Sequence, residues 1–205
     1  MLATEIVANG TDFKVFVVTN DVPNARQMAE SASGMLFVGT RRVGKLYAVV
    51  PPINLTADPE VVTFASGLTM PSGVALLGDD LYVGALNRIL RYRNIETTFR
   101  NRPQPEIITE KLPKKRHHGW KYLSVGPDQH LYVPVGAPCN ICLSKDERFA
   151  SILRIDPNTG VSELYARGVR NSVGMAWHPD THQLWFSDNG RDMLGDDVPA
   201  EEINV

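Results

Sequence analysis

Short runs of alternating apolar and polar residues, bounded by turn residues, recur along the whole chain. Four segments share one pattern: an apolar-small pair, a turn, then leucine followed by aromatic, apolar and usually small residues. They read Met28-Ala29 with Leu36-Phe37-Val38-Gly39, and Val74-Ala75 with Leu81-Tyr82-Val83-Gly84. The third is Leu123-Ser124 with Leu131-Tyr132-Val133-Pro134, and the fourth Met175-Ala176 with Leu184-Trp185-Phe186-Ser187. The repeated leucine falls at 36, 81, 131 and 184, in steps of 45, 50 and 53 residues. Three segments are followed by a further alternating run: Lys45-Leu46-Tyr47-Ala48-Val49, Arg88-Ile89-Leu90-Arg91-Tyr92 and Ser151-Ile152-Leu153-Arg154-Ile155. Their β-branched and aromatic content predicts strands. Ser33-Gly34, Gly78-Asp79-Asp80, Pro127-Asp128 and Pro179-Asp180 supply the intervening turns.

A period near 45–50 residues with three or four short strands per unit predicts an all-β fold, a β-propeller, whose blades hide their faces by packing on one another. The repeats predict blades around 22–50, 62–95, 117–157 and 164–205, all in one partial domain spanning 1–205. A β-sandwich is the competing all-β reading, disfavoured by four matching units. Propellers close with about four to eight blades. Nothing after Ile203-Asn204-Val205 finishes a ring, so the expectation is roughly the first two-thirds of a larger propeller, with one side missing.

Composition narrows the classes little further. With 21 Lys and Arg against 23 Asp and Glu the formal charge is −2, which gives no global attraction to nucleic acid or an anionic membrane. At 43% hydrophobic and 21% charged, the composition is that of a soluble globular protein. The longest clean apolar stretch, Val15-Phe16-Val17-Val18, is far short of the roughly 20 residues of a membrane helix. Residues 1–20 lack a basic head, an apolar region and a small-residue cleavage site, so no secretory signal is expected in the chain as it stands.

Three dense segments carry the candidate chemistry. They run from His117-His118-Gly119-Trp120 to Gly126-Pro127-Asp128, from Gly168-Val169-Arg170-Asn171 to Trp177-His178-Pro179, and from Ser187-Asp188-Asn189-Gly190-Arg191-Asp192 to Glu201-Glu202-Ile203-Asn204. In order and at blade spacing, and with Gly136-Ala137-Pro138-Cys139-Asn140-Ile141-Cys142 between them, they resemble the soluble pyrroloquinoline-quinone (PQQ) sugar dehydrogenases, specifically the L-sorbosone dehydrogenase branch. The resemblance covers essentially the whole chain, beginning at Val22-Pro23-Asn24. It implies a six-bladed propeller holding PQQ beside a calcium ion, a sugar or sugar-aldehyde substrate, an external electron acceptor and a periplasmic or secreted location.

The resemblance also assigns roles. His118 stands eight positions before Gly126, where the family keeps its catalytic base. An imidazole with an ordinary pKa near 6.5 suits that task. If the stretch is extended, His117 and His118 point to opposite faces, and register favours His118. Arg170 and Asn171 match the cofactor-binding pair, with a guanidinium fork for quinone oxygens and carboxylates. Gly168 and Gly174, on either side, suggest close backbone approach or unusual dihedrals. Asn189 matches a cofactor-contacting amide position, and the carbonyls of Gly190 and Arg191 match calcium ligands. Asp192 or Glu202 could add side-chain ligation, since calcium takes six to eight oxygens. Arg191 stands where glucose-oxidising relatives carry proline.

Cys139 and Cys142 lack further zinc ligands nearby, and Leu143 in place of histidine excludes covalent haem. A local disulfide near the cofactor fits the family's oxidising compartment, and two reduced thiols are the alternative. Lys114-Lys115-Arg116 reads as a solvated connector, and His178 and His182 as surface residues of a turn. Two rivals share the fold: a calcium-dependent lactonase acting through metal-bound water, and a non-catalytic propeller that binds proteins or glycans.

Overall fold

The computed structural model describes residues 4–8, 11–15, 17–52, 57–195 and 197–205. A hairpin of β1 (Thr4–Ala8) and β2 (Thr11–Val15) precedes four antiparallel sheets. The first is β3 (Ala25–Glu30), β4 (Leu36–Thr40), β5 (Leu46–Val50) and β6 (Glu60–Ala65). The second is β7 (Gly73–Leu77), β8 (Asp80–Gly84), β9 (Ile89–Tyr92) and β10 (Glu106–Thr109). The third is β11 (Ser124–Val125), β12 (Leu131–Val135), β13 (Ser151–Ile155) and β14 (Ser162–Arg167). The fourth has three strands, β15 (Met175–Trp177), β16 (Leu184–Asp188) and β17 (Glu202–Asn204). Every sheet is a meander in which each strand pairs only with its sequence neighbours. Among the described residues helix is confined to one turn, Ile95–Thr98, and the 3-10 turn after it.

The alternation within each strand decides how the sheets stack. Leu81 and Val83 of β8 pack with Leu90 and Tyr92 of β9 against Phe37, Leu46 and Phe64 of the first sheet. Tyr82 and Ile89, at the intervening positions, pack instead against Leu131, Val133 and Leu153 of the third sheet. Tyr132 and Ile152 turn to Met175 and Leu184 of the fourth. A sheet buried on both faces has few polar positions, which explains the near-continuous apolar runs of β8 and β12. Successive sheets stacked face to face in this way form a β-propeller-like ring, as the repeat period predicted.

The innermost strands lie side by side, and one side chain fastens three of them. Gln27 on β3 donates through Nε2 to the Leu123 carbonyl (2.7 Å), and its Oε1 accepts from the amides of Val74 (3.2 Å) and Leu123 (3.0 Å). A primary amide is suited to this because it donates and accepts at once. The outermost strands β6, β10 and β14 hydrogen-bond to the strand before them, so residues 60–65 and 162–167 complete the first and third sheets.

Candidate active site

Because strands alternate in direction, each second-to-third-strand connection, and each passage between sheets, emerges at one end of the ring. Residues 41–45, 66–72, 85–88, 110–123, 136–150, 168–174, 189–195 and 197–201 all belong to that end. The candidate residues His118, Arg170, Asn171, Asn189, Gly190, Arg191 and Asp192 are therefore gathered there by topology, and Glu202 begins β17 at its edge.

His118 occupies a tight turn closed by the Gly119 amide on the Arg116 carbonyl (3.1 Å), with φ of +48°. The stretch is not extended. The left-handed residue reverses the chain, and the two imidazoles lie beside one another with centroids 4.0 Å apart rather than on opposite faces. Burial separates them instead: His117 is exposed and His118 half-buried. His118 Nδ1 lies 2.9 Å from the Ala137 carbonyl oxygen. A carbonyl only accepts, so Nδ1 carries the proton and Nε2 keeps a free lone pair. Burial holds the imidazole below its ordinary pKa of 6.5, assisted by His117 and Arg170 and opposed by the Ala137 contact and Asp192.

Ala137 also joins the histidine to the arginine. Its amide donates to the Arg170 carbonyl at 2.7 Å while its own carbonyl takes the imidazole N–H. Beside it, a Cβ on Gly136 would lie 2.5 Å from His118 Cβ and 3.1 Å from Asn171 Oδ1. Only glycine lets these two side chains approach from either side of the β12 end. His118 and the Arg170-Asn171 pair thus converge on one backbone segment.

Asp188 is the scaffold of the pair. It is buried, and its two oxygens accept the backbone amides of Arg170 (2.8 Å) and Asn171 (2.6 Å). The Arg170 guanidinium reaches the Asn189 carbonyl (2.9 Å) and Asn140 Oδ1 (2.7 Å), and among the described residues it meets no carboxylate. Its charge is met only by neutral oxygens, an arrangement that suits an anionic ligand. Arg170, Asn140, Gly190, Arg191 and the loop residues Ile141 and Leu143 line an open recess of about 420 Å³. Cys139 and Cys142 are joined in a disulfide, which fixes this loop, and Asn140 between them also accepts the Asp192 amide (3.0 Å). A larger cavity of about 580 Å³, lined in part by Thr63, Phe64, Tyr92 and Pro103, contains none of the candidate residues.

The acidic stretch behaves differently from a ligand cluster. Asp188 is committed to two amides, Glu201 accepts the Gly190 amide (2.7 Å), and Glu202 faces Asp188 across the ladder and accepts Asn204 Nδ2 (3.3 Å). Among the described residues no three His, Cys, Asp or Glu side chains come together as a metal group. Neither Asp192 nor Glu202 belongs to such a group, and Gly190 and Arg191 lie in the connection between β16 and β17. Of the flanking glycines, Gly168 has φ of +78°, whereas a Cβ on Gly174 would meet only Ser187 Oγ at 3.7 Å.

Three contributors escaped the motif reading. Asn140 was hidden between the cysteines, and Ala137 acts through its backbone. Lys121 lies within a quoted motif, is 1% exposed and donates from Nζ to the Gly119 carbonyl (3.1 Å). Apolar neighbours on every side would have been its only signal.

The fold and this end of the ring define a β-propeller. The TrAA12-like family model matches residues 7–205, and the chain belongs to that family. It is 30% identical over 209 residues to an uncharacterised protein of Borreliella burgdorferi, covering 97% of this chain and 53% of the relative. The chain thus spans about half the length of the curated relative it matches. Among solved structures, the PQQ domain of pyranose dehydrogenase from Coprinopsis cinerea, in its holo form, superposes with a TM-score of 0.80 at 17% identity, over 98% of this chain and 54% of that one. The PQQ-bound aldose sugar dehydrogenase of Streptomyces coelicolor gives 0.68 at 22%, over 93% and 62%. Virginiamycin B lyase of Staphylococcus aureus shares the fold at 0.53 and 16%, over 90% and 55%. At these identities the likeness is one of fold, which hosts more than one chemistry.

Proposed function

We propose that this chain is part of a PQQ- and calcium-dependent dehydrogenase that oxidises a sugar or sugar aldehyde, of the sorbosone or aldose type. The observation that carries the reading is the Ala137 bridge, which ties a neutral, proton-accepting His118 and the backbone of an arginine without a carboxylate partner to one backbone unit. PQQ bears several carboxylates and an electron-poor quinone, and the donor set of Arg170, Asn171 and Asn189 fits it. When bound, it would supply the two-electron acceptor for hydride.

His118 Nε2 would take the proton of the hydroxyl on the reacting carbon, of a sugar or of a hydrated sugar aldehyde, while the hydride on that carbon passes to the two-electron acceptor, so the substrate loses two electrons and two hydrogens. The Ala137 carbonyl holds the tautomer that makes this possible. Arg170 would hold the acceptor and place a positive charge beside it, and Asp188 fixes the arginine by gripping its backbone. General base catalysis of this kind is worth about 10²–10⁴-fold. Calcium would be held by the Gly190 and Arg191 carbonyls and would supply positive charge beside the cofactor. The disulfide suits a periplasmic or secreted protein.

Reconstitution of the intact protein with PQQ and calcium, followed by dye reduction with aldoses and sugar aldehydes, tests the reading; the 205-residue chain alone is expected to be inactive. Sugar-dependent reduction is expected. Absence of turnover with every such substrate, or lactone hydrolysis without PQQ, would overturn it in favour of a hydrolase.

A further inference from the structure

The same end of the ring is strongly asymmetric in charge. Connections 41–45, 85–88 and 110–121 carry nine lysines and arginines against a single carboxylate, Glu110, which is already paired with Arg88 at 3.2 Å. Lys114, Lys115 and Arg116, a solvated connector when taken alone, stand here beside Arg41 and Arg42 from the first sheet. Even with Lys121 enclosed and Arg88 paired, this local excess of cations stands although the whole chain is nearly neutral.

The patch also has a formed site. Arg42, Arg116 and Trp120 line a cavity of about 420 Å³ floored by Leu68 and Met70. The Arg41 guanidinium lies over the Trp120 ring at 4.3 Å, and its buried Nε has no hydrogen-bond partner. A buried donor left unpaired is costly and uncommon in a native structure. Neither Arg42 nor Arg116 has a carboxylate partner among the described residues, and both are exposed. Trp120 and Arg116 stand two residues to either side of His118, in the segment whose turn the Gly119 amide closes on the Arg116 carbonyl.

We propose that this cavity is a substrate subsite for a carboxylated saccharide, with Arg42 and Arg116 gripping a uronate carboxylate and Trp120 supplying the apolar wall for its pyranose ring. This rests on the dehydrogenase reading for its direction toward His118, but the binding itself does not need PQQ. Guanidinium forks match carboxylates in two-point geometry, and an aromatic wall among few polar groups is the usual lining of a small-molecule pocket. A nucleic acid would engage the charge without the tryptophan-lined cavity, and free phosphate would engage the arginines without the wall.

Calorimetric titration of the full chain without cofactor, in about 20 mM salt to limit screening, tests the inference with trigalacturonate, maltotriose, inorganic phosphate and a short DNA oligonucleotide. Trigalacturonate should bind at least about tenfold more tightly than each of the other three, a gap of roughly 1.4 kcal/mol. The double substitution Arg42→Ala/Arg116→Ala should weaken it by about tenfold or more, with an unchanged thermal midpoint, since charged hydrogen bonds are worth about 1.5–3 kcal/mol each. Equal binding of maltotriose, of phosphate or of DNA overturns the inference, as does an unaffected double variant. Because no turnover is measured, loss of the redox reading would leave a positive titration standing, and loss of the subsite would leave PQQ-dependent dye reduction standing.

Discussion

Lys121→Met should stabilise the protein at neutral pH. The lysine is 1% exposed, its ammonium has one hydrogen-bond partner, the Gly119 carbonyl, and burial pushes its pKa from 10.5 down to about 8. At about 1.4 kcal/mol per pKa unit, that depression is a cost of roughly 3 kcal/mol for folding with a group charged in the unfolded chain. The substitution also removes the Gly119 contact, worth about 1 kcal/mol. The net gain at pH 7 is then about 2 kcal/mol, or about 4–8 °C in midpoint for a domain of this size. The sign with pH follows from the depressed value. Stability from this group is present in full above 10.5 and is lost as pH falls to about 8. The advantage of the variant should therefore shrink to nearly nothing by pH 10. Urea unfolding of both proteins at pH 7 and pH 10 measures it, because other titrations cancel in the difference. A variant destabilised at pH 7, or a difference that does not change between the two pH values, would refute the reasoning.

Further outcomes concern the histidine. His118→Ala should lower turnover by about 100-fold or more while PQQ uptake, measured by absorbance after desalting, stays largely intact. Gly136→Ala should also lower turnover, since its new methyl would lie 2.5 Å from His118 Cβ. NMR of the imidazole would show His118 displaced; an unshifted ring with full activity would contradict the close approach. The acid limb of kcat/KM should lie below pH 6.5, because the neutral imidazole is the working form and burial lowers its pKa. Any stability that depends on the neutral ring is likewise present above 6.5 and lost as pH falls through the lowered value. A limb above 6.5 would contradict this.

The blade-length repeat made the architecture legible, because β8, β9, β12 and β13 are buried on both faces and recur as compact apolar runs at blade spacing. The outermost strands were harder to assign. In β14, Ser162–Arg167 alternates exposed and half-buried residues and reads as well with the following repeat as with its own. Within the site, residues that act through typical side chains, His118 and Arg170, were visible by motif. Ala137 and Gly136 act through a backbone bridge and an absent Cβ, for which residue type gives no signal. Asp188 drew attention as an acid, but its role as a cap for two amides depends on the fold bringing β16 against residues 170–171. Lys121 shows the limit of polarity rules, since a lysine in a motif gives no warning that its ammonium will be enclosed.

Convergence of His118 and Arg170 on one cofactor is tested most directly by titrating the intact protein with PQQ in the presence of calcium and following sugar-dependent dye reduction in the wild type, Arg170→Ala and His118→Ala. Saturable uptake with turnover in the wild type is expected, with uptake weakened by Arg170→Ala and turnover alone lost in His118→Ala. Uptake indifferent to Arg170, or turnover indifferent to His118, would contradict it.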